Sequence, residues 1–445
     1  MQQKKQLSLF DLSMIVVSLV IGMGIFRTPV NVAAKAQMPE LFYLAWFIGG
    51  FVAFCGALTY AEIGSRYPVT GGYYKIFSQA YHPSIAFAIN CIVLISSAAS
   101  VAAISIIGAE YLSKIVLPAE MQNETYRVAI AISTILMFYF INLLGLKASS
   151  KTQNILTVIK IGLILTLICA VFFGGQTQDV APVFKTSNGA APSWQNYGKA
   201  LGLCLIAVSF SYAGYAQTIN FGGEVKDAKK IIPRSIIIGL TMIVTLYLIL
   251  NYVYVKVIGF EELKTAESIA AILASKIFGP AGFKILSVII FISVMGYVNV
   301  NLLSNPRAMF AMGEEGALPG FFSKVNKKTE VITWSLTVFT VAAVVIIFYA
   351  KTFDKILNYT IFLESISMAS SAATIFILRK RTTNLDKKTI YTVPLYPVLP
   401  IIFIAAYTFV AFSIYADDPN AALNGIYIFV GFLVIYFISR VINKK

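Results

Sequence analysis

The sequence predicts an all-α membrane protein that crosses the bilayer about twelve times. Three observations predict it. Of 445 residues, 58% are apolar and only 12% are charged, against roughly 25% charged in an ordinary soluble protein. The mean hydropathy is +0.78, more apolar surface than a soluble fold can hide from water. The apolar residues also fall in runs long enough to span a bilayer, which takes about 20 residues.

Twelve such runs lie at approximately 9–35, 41–64, 84–115, 126–145, 152–174, 197–222, 233–258, 280–312, 331–350, 354–378, 393–415 and 422–441. No long polar stretch divides them, so the chain reads as a single transmembrane domain over residues 1–445. Its longest connection without apolar periodicity is 175–196. Residues 266–277 have the pattern of a short amphipathic helix lying at the membrane surface before the eighth span. The apolar run near the N-terminus has no small-residue cleavage site after it, and reads as a retained first helix rather than a signal peptide.

Orientation follows from the basic residues. With the N-terminus inside, 22 Lys and Arg fall on the inner side, 12 on the outer side, and Lys160 inside a span. The bias predicts a multi-pass protein of the cell membrane with both termini cytoplasmic.

The net charge of +15 is explained by these loops and implies no nucleic-acid partner. Cys55, Cys91, Cys169 and Cys204 all sit in apolar runs, read as packing residues, and predict no disulfide. A single histidine, His82, stands beside Pro83 in a loop. Neither a nucleophile–base pair nor a metal cluster can be built from this set. The expectation is therefore no enzyme, no cofactor and no metal. A channel would show a filter motif or a ring of charges, and none is visible.

Two spans carry breaks. Span 1 contains Gly22-Met23-Gly24 in its middle, followed by Arg27 and Pro29. Span 6 contains Ser211-Tyr212-Ala213-Gly214-Tyr215, with Gly222-Gly223 at its inner end. Glycine costs about 1 kcal/mol in a helix interior relative to alanine. Unwound backbone at membrane depth is tolerated where it is buried in protein or lines a cavity. Spans 1 and 6 occupy the same place in two five-helix halves, which points to an inverted repeat with a midplane substrate site. The repeats would cover about 9–174 and 197–378, leaving two peripheral helices at about 393–441.

Four blocks carry a resemblance to a known family. They are VIGMGIFRTP (20–29), YAEIGSRYPVTGGYYKIFSQAYHP (60–83), FSYAGYAQTINFGGEVKDAKKIIPRSI (210–236) and NPRAMFAMGEEGALPGFFSKV (305–325). Together and in order, they resemble the amino acid–polyamine–organocation superfamily, close to its L-type amino acid transporter branch. The resemblance implies a LeuT-type fold: twelve transmembrane helices, a 5+5 inverted repeat plus two peripheral helices, and alternating access for a small amine-bearing substrate. Members of the animal branch that join a heavy chain use a cysteine in the loop corresponding to 113–127. This loop has none, so no disulfide-linked accessory subunit is expected. The loop does hold an Asn123-Glu124-Thr125 sequon.

An amino acid brings a carboxylate and an ammonium, and the protein must replace water around both. A half-helix starting near Gly24 offers free N–H groups and a positive dipole end to the carboxylate. The backbone at Val20, Ile21, Gly22, Met23, Gly24 and Ile25 is the expected first wall of the site. The carbonyls of Val20 and Ile21, and of Phe210, Ser211 and Ala213, are expected to accept from the ammonium. Gly214 provides the break in span 6. Phe210 matches the aromatic that closes over substrate in similar transporters, and Asn299 in span 8 also matches a family position. Met23 stands where the branch more often has Ser or Ala, and Tyr215 replaces the usual Trp, so pocket size is expected to differ.

Lys160 lies about eight residues into span 5, roughly 12 Å deep. A lysine there is costly and therefore a functional candidate. In similar transporters such a lysine approaches helix 1 and stands in for a sodium ion. That implies sodium-independent transport by exchange or proton coupling. Glu364 in span 10 is a candidate for coupling, gating or a structural contact. Glu62, Arg66, Glu224, Arg234 and Arg307 read as an ion-pair network at the inner ends of helices. Spans 1, 3, 6 and 8 show no carboxylate at mid-depth, which favours neutral L-amino acids. The alternative is an amine, polyamine or cationic amino acid carrier.

Overall fold

The computed structural model describes residues 6–22, 24–173, 194–266, 269–279, 282–386 and 388–442. Helices α1 (Leu9–Val20) and α2 (Gly24–Ala36) are the two halves of the first predicted span, and their axes meet at 41°. There follow α3 (Pro39–Arg66), a short α4 (Gly72–Ala80), α5 (Pro83–Val116), α6 (Glu124–Leu143), α7 (Leu146–Phe173), α8 (Trp194–Tyr212) and α9 (Ala228–Ile258). The remainder comprises α10 (Phe260–Thr265), α11 (Ile269–Phe278), α12 (Gly282–Glu314), α13 (Thr333–Ile347), α14 (Ala350–Arg381), α15 (Val398–Asp417) and α16 (Pro419–Ile442).

Among the described residues, ten helices are long and apolar enough to cross a membrane, and the bent α1–α2 pair makes an eleventh. The ninth predicted span is α13, which is apolar but has only 15 residues. The chain is a multi-pass helical membrane protein. The connection 175–196 lies mostly outside the described residues. The amphipathic segment expected at 266–277 is α11, with Ile269 and Leu273 buried and Lys276 exposed.

Local chemistry explains several helix starts. Ser8 and Asp11 form a reciprocal capping box on α1. His82 is the N-cap of α5: its Nδ1 accepts from the Ser84 N–H at 3.2 Å, with Pro83 at the first helical position. The single histidine thus serves the backbone. Asn123 of the sequon caps α6 by accepting from the Tyr126 N–H at 3.2 Å. The short α4 has no counterpart in the predicted spans. Nine residues cannot cross a bilayer, so a search for long apolar runs passes over it.

At the centre, α1 packs on α9 and α7, α2 on α8, and α3 on both α8 and α9. Trp46, Tyr212 and Tyr247 join three of these helices, with ring centroids 5.2 to 6.0 Å apart. Gly49 and Gly50 on α3 let Val208 and Tyr212 of α8 approach closely: a Cβ at Gly49 would sit 2.2 Å from Val208. Small residues at a helix crossing are the usual means of close packing in lipid.

Candidate substrate-binding site

The two predicted breaks are present and lie against each other. Helix α1 ends at Val20, Ile21 caps it, and α2 begins at Gly24. Helix α8 ends at Tyr212, turns at Ala213-Gly214, and continues as a 3-10 segment over Tyr215–Asn220. A Cβ at Gly24 would come within 3.2 Å of the Ser211 Oγ. A Cβ at Gly214 would lie 2.3 Å from the Leu19 carbonyl oxygen, and Gly214 has φ +109°. Gly214 is therefore glycine on two counts, conformational and steric. Gly22 faces the Tyr297 ring, to which a Cβ would approach within 3.1 Å.

Lys160, fully buried on α7, reaches this break. Its Nζ donates to the Ile21 carbonyl oxygen at 2.7 Å. Gly296 on α12 makes room for it: a Cβ there would be 3.2 Å from Nζ. The Val20 carbonyl already accepts from the Gly22 N–H at 2.9 Å and from the Tyr247 hydroxyl at 3.2 Å. A carbonyl has two lone pairs. The Val20 oxygen is thus spent within the protein, and the Ile21 oxygen has one lone pair left. The sequence assigned both to the substrate ammonium; in the structure protein donors hold them. The first turn of α2, at Gly24, Ile25 and Phe26, has N–H groups without intrahelical acceptors and no acidic side chain competing for them. Met23 lies outside the described residues.

Beside the breaks is a cavity of about 100 Å³. The break of α8 forms one wall with Phe210, Ala213, Gly214 and Gln217. Helix α14 forms another with Glu364, Ser365 and Ser367, and α5, α4 and α15 add Ser97, Tyr73 and Tyr407. Phe210 is 45% exposed. Of the predicted site residues, Phe210, Ala213 and Gly214 line this cavity. Ser211 points back into its helix, donating to the Ala207 carbonyl at 3.3 Å. Val20, Ile21, Gly22, Gly24 and Ile25 form the break next door and do not line it.

Asn299 is elsewhere. Its Nδ2 donates to the Gln153 Oε1 at 2.7 Å and to the Ser149 carbonyl at 3.3 Å, while its Oδ1 accepts from Asn142 at 2.8 Å. Gln153 donates in turn to Thr157 at 3.2 Å, and Thr157 shares a 2.7 Å hydrogen bond with Ser18 of α1. Asn299 thus ties α12 to α6 and α7, with its amide committed to that network.

The inner-end charges form two separate clusters. Glu62 is fully buried and accepts from Arg66 Nε at 2.5 Å, from Arg379 at 2.8 and 2.6 Å, and from the Val393 N–H at 2.7 Å. Arg307 donates to Glu224 at 2.6 Å and lies 4.4 Å above the Phe221 ring. Nearby, Leu7 bridges to Val225 as an isolated β pair, closing the end of the α8 segment. Arg234 is exposed and forms no ion pair among the described residues. Sequence reading missed Arg379 as the third arm of the Glu62 cluster. It also missed Tyr247 as a donor to the break and the serines of α14 as cavity lining; none carries a motif.

Two broken helices pressed together beside a cavity that includes Glu364 and several hydroxyls, within a helical membrane domain, define a membrane transport protein. The chain belongs to the amino acid permease family, whose profile matches residues 7–438. It is 30% identical over 438 residues to the Serine/threonine exchanger SteT of Bacillus subtilis (strain 168), covering 98% of this chain and 96% of that one. It is 24% identical over 440 residues to the Asc-type amino acid transporter 1 of Mus musculus, covering 98% and 81%. Identity to the Large neutral amino acids transporter small subunit 2 of Homo sapiens is also 24%, covering 98% and 80%. These relatives support the amino acid–polyamine–organocation superfamily and its L-type branch. The protein is an amino acid permease and not an enzyme.

Proposed function

We propose that this permease moves neutral L-amino acids across the cell membrane by alternating access, independently of sodium, as an exchanger or by proton-coupled uptake. The observation that carries the reading is the Lys160 ammonium seated on the Ile21 carbonyl at the helix break. A fixed cation occupies the position where a coordinating carbonyl would otherwise attract an inorganic one, so sodium is not needed to complete the site. The relatives, an exchanger and amino acid transporters by name, support the amino acid transport part of the reading.

The architecture proposed with it is the LeuT type: twelve crossings, with α13 as the short ninth, repeats at about 9–174 and 197–378, and two peripheral helices at about 393–441. Both termini lie in the cytoplasm on the basic-residue bias. The substrate carboxylate docks on the first turn of α2. Its ammonium takes the remaining Ile21 lone pair and carbonyls near Phe210–Ala213. Its side chain enters the cavity beside Phe210. Transport proceeds without a covalently linked accessory subunit. The test is counterflow in liposomes, with a labelled neutral amino acid inside and unlabelled competitors outside, in sodium or choline buffer. Saturable counterflow of equal rate in the two buffers supports the reading. Uptake that rises steeply with a sodium gradient overturns it.

A further inference from the structure

We propose that Glu364 is the side-chain selector of the cavity, favouring amino acids with a short side chain that ends in a hydroxyl. The inference rests on the amino acid transport reading above and names its substrate subclass.

Glu364 borders the cavity from α14, opposite the α8 break. The Ser96 hydroxyl of α5 donates to its Oε1. Among the described residues no lysine, arginine or histidine forms an ion pair with Glu364. A carboxyl at membrane depth without a cationic partner is expensive, and one donor uses only part of the acceptor capacity of its two oxygens. The remainder faces a space the size of a few atoms.

The neighbouring hydroxyls point the same way. Ser365 donates to the Ile361 carbonyl at 3.0 Å, and Ser209 donates to the Ile206 carbonyl at 3.0 Å. Their protons are committed to their own helices, which leaves oxygen lone pairs for the cavity. With Glu364, these two serines present acceptors to the cavity. Gln217 is the counterweight: its Oε1 accepts from Ser304 at 3.3 Å, so its amide N–H groups remain as donors. A side-chain hydroxyl both donates and accepts, and answers both kinds of wall. A hydrocarbon side chain of the same shape would leave the Glu364 oxygens desolvated and unpaired. The Ser96 contact shows that a hydroxyl can approach this carboxyl from α5. The cavity volume of about 100 Å³ suits a side chain of a few atoms.

The experiment measures competition against a labelled substrate in proteoliposomes with two isosteric pairs: serine with 2-aminobutyrate, and threonine with valine. Each pair exchanges a hydroxyl for a methyl. In the wild-type protein the hydroxyl member should compete about tenfold or more better, since a site built to hydrogen-bond a hydroxyl rejects its apolar isostere. In Glu364→Leu, which removes both oxygens and with them the hydrogen-bonding partner, the ratio should fall to within about threefold. Detergent-phase thermal unfolding checks that the variant is folded. If it is not, Glu364→Asp withdraws the carboxyl by one methylene and should lower the ratio likewise. Equal competition within each pair in the wild type overturns the proposal, as does a ratio untouched by either variant. Stronger competition by lysine or ornithine than by serine, lost in Glu364→Leu, would also overturn it, marking a cation subsite instead. If no amino acid is transported at all, the failure lies with the transport reading, and the two results are distinguishable.

Discussion

The Lys160 ammonium sits 2.7 Å from the carbonyl oxygen of Ile21, the residue that caps α1 where the first span breaks. A buried cation on α7 thus neutralises the partial negative charge at the C-terminal end of the half-helix. Lys160→Ala should leave that end uncompensated and reduce transport by about 10- to 100-fold, the value of a hydrogen bond to a charged group. Initial-rate uptake in proteoliposomes, with the protein amount fixed by quantitative blotting, checks this. Normal rates in the variant would make the charge merely structural.

Gly214 should tolerate no side chain. At φ +109°, with a Cβ only 2.3 Å from the Leu19 carbonyl, Gly214→Ala incurs about 1–3 kcal/mol of backbone strain plus a clash that pushes the two breaks apart. Lower melting temperature and lost uptake are expected together. Gly162 on α7, where a Cβ would meet nothing within 4 Å, is the control. There Ala should be neutral or stabilise by up to about 1 kcal/mol.

Glu62 holds α3, α14 and the segment before α15 together through Arg66, Arg379 and the Val393 N–H. Removing one member of a buried ionic cluster costs about 3–5 kcal/mol. Glu62→Gln should therefore lower the unfolding temperature markedly. The exposed Lys114–Glu110 pair on α5 gives the contrast: Lys114→Ala should change stability by less than about 1 kcal/mol. Comparable shifts for the two would refute the distinction.

Asn299→Ala separates a binding role from a packing one. The substitution removes partners from Asn142 and Gln153, and unpaired buried amides cost about 1–3 kcal/mol each. Stability should fall while the ranking of competing amino acids stays unchanged. A reordered ranking would return Asn299 to the substrate site.

What the sequence determined by itself was the membrane class, most of the spans and the places where two of them break. These follow from one-dimensional quantities: runs of apolar residues, glycines at mid-span and a lysine where hydrocarbon should be. The depth of Lys160 and the conspicuous carboxyl of Glu364 could be read in the same way, because a charge in an apolar run needs no neighbour to be noticed. Only the tertiary structure decided what each of these groups touches. The Val20 carbonyl is spent and the Ile21 carbonyl half-spent because Tyr247 and Lys160, far along the chain, are folded onto them. Asn299 looks like a site residue until its amide is seen to be engaged by Gln153, Ser149 and Asn142. Arg379 joins Glu62 across 317 positions, and the serines of α14 become a cavity wall only opposite α8. The reason is physical. Burial in lipid is written into composition, whereas a hydrogen bond depends on the distance and direction between two groups, which exist only once the helices have packed.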